Sequence, residues 1–256
     1  MINLEDGDQI RAVVVLPNVC GLKDNYNFFV QDILQSPHVV GICEVKIRTK
    51  RILGAALLCF KGKAYRLACR ILINTLHILP IRRKLIAKSL RKKFFQIDSI
   101  NSEAFYKLIE TNNINLVIHS RTRRRFLPET LSRVKYGCIN IHNGILPWQR
   151  GVKSDLRAFA KCQPTGFSLH LMEEKIDCGP ILTTVTVDAG QEKNYDTYTH
   201  RATKLHASTL ITLLNSLDQT RSIQSIPQQT IPGERVRSSL LSVEELKNIK
   251  KLGIQV

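Results

Sequence analysis

In the stretch GCINIHNGILPWQRG (137–151), Asn140 and His142 stand two residues apart near the end of an apolar, β-branched run. The period-2 alternation of a strand puts both side chains on one side. A second stretch, EEKIDCGPIL (173–182), carries Asp177 in a turn-prone loop just ahead of Gly179 and Pro180. An amide, an imidazole and a carboxylate together meet the needs of acyl transfer to an amine. The amide or a charged imidazole stabilises the developing oxyanion. A base tuned near neutrality removes the proton from the attacking nitrogen. The carboxylate orients the imidazole and supports its charged form. The amine is itself the nucleophile, so no activated serine or cysteine is required. Each residue alone has a plainer role, a structural histidine at a strand end or an aspartate capping a turn. Only the combination points to chemistry.

These residues need a sheet to hold them. RAVVVLP (11–17) reads as a buried strand ending at proline, NYNFFVQDILQS (25–36) as a helix, and VVGICEVKI (39–47) as a second strand. That is a β-α-β unit and predicts a parallel sheet. The pattern resumes at residue 98 with a helix (102–113), the strand INLVIHS (114–120), the short helix PETLSRVK and the strand GCINIHN (137–143). A helix (153–162), the strands TGFSLHLM (165–172) and PILTTVTVD (180–188), and a long helix (195–217) follow. The expected class is α/β, a parallel sheet flanked by helices, with 1–217 as one catalytic domain and 218–256 as a tail or small appendage. Ligands of such sheets bind beyond the carboxyl ends of the strands. Asn140 and His142 then face one cleft, and Asp177 reaches it if its flanking strands are neighbours.

The formal charge of +17 over 256 residues predicts attraction to an anionic partner. From Lys46 to Lys93 there are fifteen Lys/Arg and no Asp or Glu, with apolar residues at helical spacing. Segment 46–94 therefore reads as an insert of two or three basic amphipathic helices. They could lie on an anionic membrane surface, touch nucleic acid, or pack an apolar stripe on the sheet with lysines facing water. The seven cysteines form no C-x-x-C pair and are odd in number, which argues against a disulfide framework or a zinc site. Reduced thiols, a polar start without an apolar signal core, and the lack of an apolar run near the ~20 residues that span a bilayer predict a cytoplasmic protein, membrane-peripheral if the basic helices engage lipid.

The paired motifs N-I-H-x-G-x-L-P-x-x-R-G and I-D-x-G-P-I-L resemble the folate-dependent formyltransferase family, which includes glycinamide ribonucleotide, methionyl-tRNA and sugar N-formyltransferases. The resemblance spans roughly 98–217, and more loosely the first strand and helix. It implies a Rossmann-like sheet, catalytic Asn140, His142 and Asp177, no metal, and 10-formyltetrahydrofolate as co-substrate. It also implies that the pterin sits between the loops RTRRRFLP (121–128) and EEKIDCGP (173–180). Arg123, Arg124, Arg125, Phe126, Glu174, Lys175 and Ile176 are the corresponding cofactor-side residues, although the arginines could equally be surface charge or meet the glutamate tail of folate. Thr165 and Gly166 match a family turn. His170 either faces the acceptor pocket or is a satisfied sheet histidine, and Trp148 and Gln149 are placed to shape the acceptor site. Two departures matter. VVVLPNVCGLKDNY has one glycine where the glycinamide ribonucleotide enzymes carry a glycine-rich phosphate loop, which argues against that substrate. Only 218–256 stands where methionyl-tRNA formyltransferases carry a C-terminal barrel. The reading is an N-formyltransferase for a small, anionic amine acceptor, such as an amino sugar on a nucleotide or lipid carrier. The alternatives are a methionyl-tRNA formyltransferase-like enzyme, a 10-formyltetrahydrofolate hydrolase, or a non-catalytic membrane- or nucleic-acid-binding protein.

Overall fold

Every residue of the first apolar run, Ala12–Pro17 (β2), is buried. A strand with neighbours on both edges and layers on both faces has no solvent side to keep polar. It lies near the middle of a seven-stranded sheet in the computed structural model of the protein, which describes residues 1–75, 81–122, 124–190, 192–229 and 241–255. The other strands are Val39–Val45 (β3), Lys93–Ile97 (β4), Leu116–Ser120 (β5), Cys138–His142 (β6), Gly166–Leu171 (β7) and Ile181–Thr186 (β8), and the order is β4-β3-β2-β5-β6-β7-β8.

β4 through β6 run parallel. β7 and β8 are antiparallel to their neighbours, which corrects the expectation of a wholly parallel sheet. The β7–β8 connection, 172–180, is shorter than the dozen or so residues a parallel crossover needs. The sheet is thus mixed, mostly parallel and flanked by helices. After β3 and β4 the chain returns to the opposite side of β2 to lay down β5 and β6. This reversal opens a crevice between the ends of β2 and β5, the usual place for a ligand.

Alternation along the strands separates two cores. On one face Val14, Leu16, Ile118, Ile139 and Ile141 pack with α1 (Asn27–Ile33) and α8 (Tyr195–Thr220). On the other, Val13, Val15, Val117 and Cys138 meet Phe105, Leu108 and Ile109 of α5 (Glu103–Thr111). α1 is shorter than the 25–36 expected for it, because Asp24, Asn25 and Tyr26 take positive φ in the turn before it. Two short helices, α6 (Pro128–Ser132) and α7 (Ser154–Ala160), flank β6 in the chain.

The basic segment forms α2 (Thr49–Lys61), α3 (Tyr65–Thr75) and α4 (Ile81–Ser89) in the connection from β3 to β4. Two of its features depart from a reading as basic amphipathic helices. Lys93 already begins β4, an edge strand. Arg83 does not face water but is buried, paired with Glu44 at 2.9 Å and donating to Asn27 Oδ1, Pro17 O and Asn25 O. It staples α4 to the loop that leaves β2.

The last stretch folds back on the body. β9 (Ser222–Ile223) pairs antiparallel with β1 (Ile2–Asn3), and Ile226 bridges to Ile181 beside β8. α9 (Val243–Lys251) starts at a Ser242–Glu245 capping box and buries Leu246 and Ile249. Among the described residues, no helix is long and apolar enough to cross a membrane.

Candidate active site

Sheet register lines up His119 of β5, Asn140 of β6 and His170 of β7 across three neighbouring strands. The three side chains form one chain of hydrogen bonds. Asn140 Oδ1 lies 2.7 Å from His119 Nδ1, and Asn140 Nδ2 lies 2.9 Å from His170 Nε2. His170 Nδ1 is 2.8 Å from the carbonyl of Leu171, so that nitrogen carries the proton and Nε2 accepts from the Asn140 amide. The Asn140 oxygen in turn accepts from His119 Nδ1–H, which leaves His119 Nε2 to accept from the Thr122 hydroxyl. Burial holds His119 below the ordinary histidine value, against the opposing pull of Asn140 and Asp177. The Asn140 amide is therefore fixed with its NH2 group toward Asp177, whose Oδ1 is 3.5 Å away.

His142 projects from the same side of β6, two residues further on. Its Nδ1 lies 3.4 Å from Asp177 Oδ1. Its Nε2 faces the Gln149 carbonyl oxygen and, at 3.2 Å, Ser154 Oγ. The Ser154 hydroxyl spends its proton on Asn143 O at 2.7 Å, so it too can only accept from the ring. Both ring nitrogens thus face acceptors, and the doubly protonated ring satisfies them all. Burial works against that charge, but the Asp177 carboxylate and the Gln149 carbonyl outweigh it and raise the His142 pKa above 6.5. For Asp177, burial alone would raise the pKa. His142 and the Gly151 N–H, 2.9 Å from Oδ2, overcome it and hold the carboxyl well below the usual range. Asp177 adopts φ 55°, a left-handed conformation uncommon for non-glycine residues but better tolerated by aspartate than by most.

The surrounding loops admit little rearrangement. A Cβ on Gly144 would come within 2.9 Å of His142 Nε2 and 2.5 Å of Ser154 Oγ, so only glycine lets this turn close over the histidine. A Cβ on Gly179 would fall 1.9 Å from the Leu171 carbonyl oxygen, so the Asp177 loop depends on a bare backbone there. Arg150 Nε donates to Asp177 O at 3.1 Å and to Gln228 Oε1 at 3.2 Å, and Gln228 Nε2 donates to Gly179 O at 2.6 Å. The C-terminal stretch therefore clasps the loop that carries the aspartate.

The structure brings Asn140, His142 and Asp177 together at one end of β6. The residues expected on the cofactor side scatter more widely. Arg125 is exposed and meets Glu174 at 3.4 Å, joining loop 121–127 to loop 173–180. Arg124 is half-buried, Lys175 is exposed and Ile176 presents an exposed apolar side chain. Arg123 lies outside the described residues. Phe126 is buried at 1% exposure, edge-on to both Phe105 and His119, so it supports the site from beneath. Of the residues expected to shape the acceptor side, Gln149 braces its loop through Ile145 N and Pro164 O, while Trp148 points into solvent. His170 belongs to the Asn140 network. Sequence reasoning missed His119, Ser154, Arg150 and Gln228. His119 was readable only from the register of β5 against β6, and Gln228 gave no local signal. Arg121, half-buried at the crevice, donates to Asn143 Oδ1 at 2.6 Å and lies over the Tyr26 ring. Among the described residues, no cluster of three or more His, Cys, Asp and Glu side chains is placed to hold a metal ion.

The comparisons with known proteins bear on the family and the fold. Relatives by sequence include a methionyl-tRNA formyltransferase of Wolbachia sp. subsp. Drosophila simulans, 35% identical over 92 residues, covering 36% of this chain and 31% of the relative. The methionyl-tRNA formyltransferase of Thermotoga neapolitana is 27% identical over 141 residues, covering 55% and 45%. The chain spans about a third to a half of the length of these curated relatives. Among solved structures, a sugar N-formyltransferase from Shewanella sp FDAARGOS_354 superposes with TM-score 0.58 at 17% identity, covering 95% of this chain and 87% of that one. Glycinamide ribonucleotide transformylase 1 from Symbiobacterium toebii gives 0.60 at 15% identity, covering 86% and 96%. These two share the fold. The formyl transferase family model matches residues 81–214, more than half of the chain and all of β4 through β8. The chain belongs to the formyl transferase family.

Proposed function

We propose that the protein is an N-formyltransferase that moves a formyl group from 10-formyltetrahydrofolate to a small amine, with Asn140, His142 and Asp177 as its catalytic residues. The observation that carries this reading is the convergence of an oriented amide and an imidazole favoured in its charged form on one buried, ionised carboxylate, each within 3.5 Å of it. The 3.5 Å contact to Asp177 is the longest hydrogen bond that Asn140 makes, so an incoming carbonyl oxygen displaces it most cheaply. Asn140 Nδ2 and the His142 imidazolium then stabilise the oxyanion as the amine nitrogen bonds to the formyl carbon. Asp177 receives the proton that leaves the amine, while the His142 imidazolium stays protonated beside it. Collapse breaks the bond from the formyl carbon to the folate nitrogen, which takes up the proton.

The loops tied by Arg125 and Glu174 fit a folate. Ile176 offers an apolar edge for the pterin, and Arg124 and Arg125 offer cations for the glutamyl carboxylates. Arg121 places a further cation at the crevice for an anionic acceptor, an amino sugar on a nucleotide or lipid carrier. A phosphate cradle of glycinamide ribonucleotide type is not favoured. In the loop after β2 the Asn25 side chain accepts from Cys20 N at 2.7 Å and donates to Asn18 O at 2.9 Å, so that backbone N–H is already engaged within the protein. The relatives named as methionyl-tRNA formyltransferases support a second acceptor, charged initiator tRNA.

Release of tetrahydrofolate is followed with 10-formyltetrahydrofolate alone, with nucleotide-linked amino sugars and with charged initiator tRNA. Turnover with an amino sugar supports the main reading and turnover with tRNA the second. Turnover without an amine identifies a hydrolase. Asn140→Ala, which removes one oxyanion donor, is expected to lower kcat about 100-fold or more with intact folding. Absence of folate binding and of any turnover would sink the proposal.

A further inference from the structure

The exposed side of α2 is apolar where a solvated helix would be polar. Leu53 is 52% exposed, Leu57 55% and Phe60 38%. They stand at i, i+4 and i+7, one strip of a helix. Ile52, Ala56 and Cys59, about 100° round the helix from that strip, face the body. The apolar arc of α2 is therefore wider than the part the fold buries. Lys50 and Lys61 fall in the same row as Leu57, one at each end of the strip, and both are exposed. Beside them, Tyr65 at the start of α3 is 49% exposed and its ring lies 6.0 Å from that of Phe60, which continues the apolar strip across the turn.

We propose that this face of α2 docks the protein on an anionic lipid surface, with Leu53, Leu57 and Phe60 entering the headgroup–acyl boundary and Lys50 and Lys61 meeting lipid phosphates. Charge selects this occupant. No acidic residue occurs from Lys46 to Lys93, so α2 and the helices next to it in the chain present cations and no carboxylate of their own, which complements an anionic surface. An apolar row with lysines at its margins is the pattern of a helix lying in the plane of a membrane interface. α2 begins four residues after the carboxyl end of β3, the same end of the sheet at which the crevice opens. Docking on this face turns that end of the sheet toward the headgroup layer and toward an amine carried on a lipid. The docking stands independently of the formyl-transfer reading, because it requires no folate and no residue of the catalytic centre.

The experiment is vesicle co-sedimentation of the full chain, with light scattering to follow its oligomeric state. The chain is expected to pellet with vesicles of phosphatidylglycerol and phosphatidylcholine, not with pure phosphatidylcholine, and to be released by added salt. Leu57→Glu is expected to weaken binding about tenfold or more, since a buried leucine and a repelled carboxylate act in the same direction. Lys50→Glu/Lys61→Glu is expected to do the same. These residues are exposed, and unchanged thermal unfolding verifies that the variants fold. His142→Ala is expected to bind vesicles like the parent. The proposal is overturned if the chain pellets with neither vesicle, or if the α2 variants bind as well as the parent while Leu85→Glu on α4 does not. A dimer that Leu57→Glu dissociates would assign the face to a second copy. RNA binding without vesicle binding would assign the charge to nucleic acid. Either result also overturns it.

Discussion

A buried imidazole with a carboxylate against one nitrogen and a carbonyl against the other satisfies both only by taking a proton. His142 is in that position, and Asp177 supplies most of the reason. Asp177→Asn removes the charge and keeps the shape. Desolvation is then opposed only by the Gln149 carbonyl and by Asp155, and the His142 pKa is expected to fall, as read from imidazole titration by NMR. An unchanged pKa in the variant would show that the carboxylate is not the cause. The same coupling gives a stability window. The raised His142 value contributes stability that is complete below 6.5 and lost as pH rises through its folded value. The lowered Asp177 value contributes stability present above 3.8 and lost as pH falls toward its folded value. The pair should therefore support the fold most between those limits, and Asp177→Asn should flatten the pH dependence of the melting temperature there. Asn140, His142 and Asp177 were legible in the sequence because two of them share a strand and the third sits in a marked turn. His119 was not, because its role comes from lying beside Asn140 on a different strand, and register is a property of pairing rather than of either segment.

Among the elements, the β7–β8 loop carries the aspartate and tolerates the least change. Gly179→Ala is expected to destabilise the protein by about 1–3 kcal/mol, because the new methyl meets a backbone carbonyl that cannot swing away. The same substitution should lower kcat by displacing Asp177, and a variant with unchanged melting temperature and kcat would contradict the close approach. The strands with β-branched runs were readable from pattern. β4 was not, because KFFQI (93–97) follows a long basic helical run and, at the sheet edge, is half-buried without a polar–apolar alternation. The antiparallel direction of β7 and β8 was written in the shortness of the loop between them, a signal available in the sequence but outweighed by the parallel pattern upstream.

Across the whole molecule, the Arg83–Glu44 pair links the basic segment to β3, one strand in from the sheet edge. Burial raises the Glu44 pKa despite the arginine beside it. Arg83→Met strands the carboxylate and is expected to cost about 3–5 kcal/mol at neutral pH in urea unfolding. The deficit should shrink as pH falls, because Glu44 without its partner has a folded pKa raised further and takes up a proton instead of remaining a buried charge. An equal deficit at all pH values would show that lost packing, not charge, is responsible. No local pattern identified Arg83 as a core residue, since its neighbours in IRRKLIAKS are exposed lysine and arginine. The clasp formed by Arg150 and Gln228, together with the pairing of β9 to β1, also sets a schedule for synthesis. Asn140, His142 and Asp177 emerge from the ribosome well before Gln228 does, and until then their loop lacks the Gln228 half of its clasp. A nascent chain can hold all three side chains and still lack their full support, so the arrangement is completed late in translation, when residues 222–228 return to fasten it.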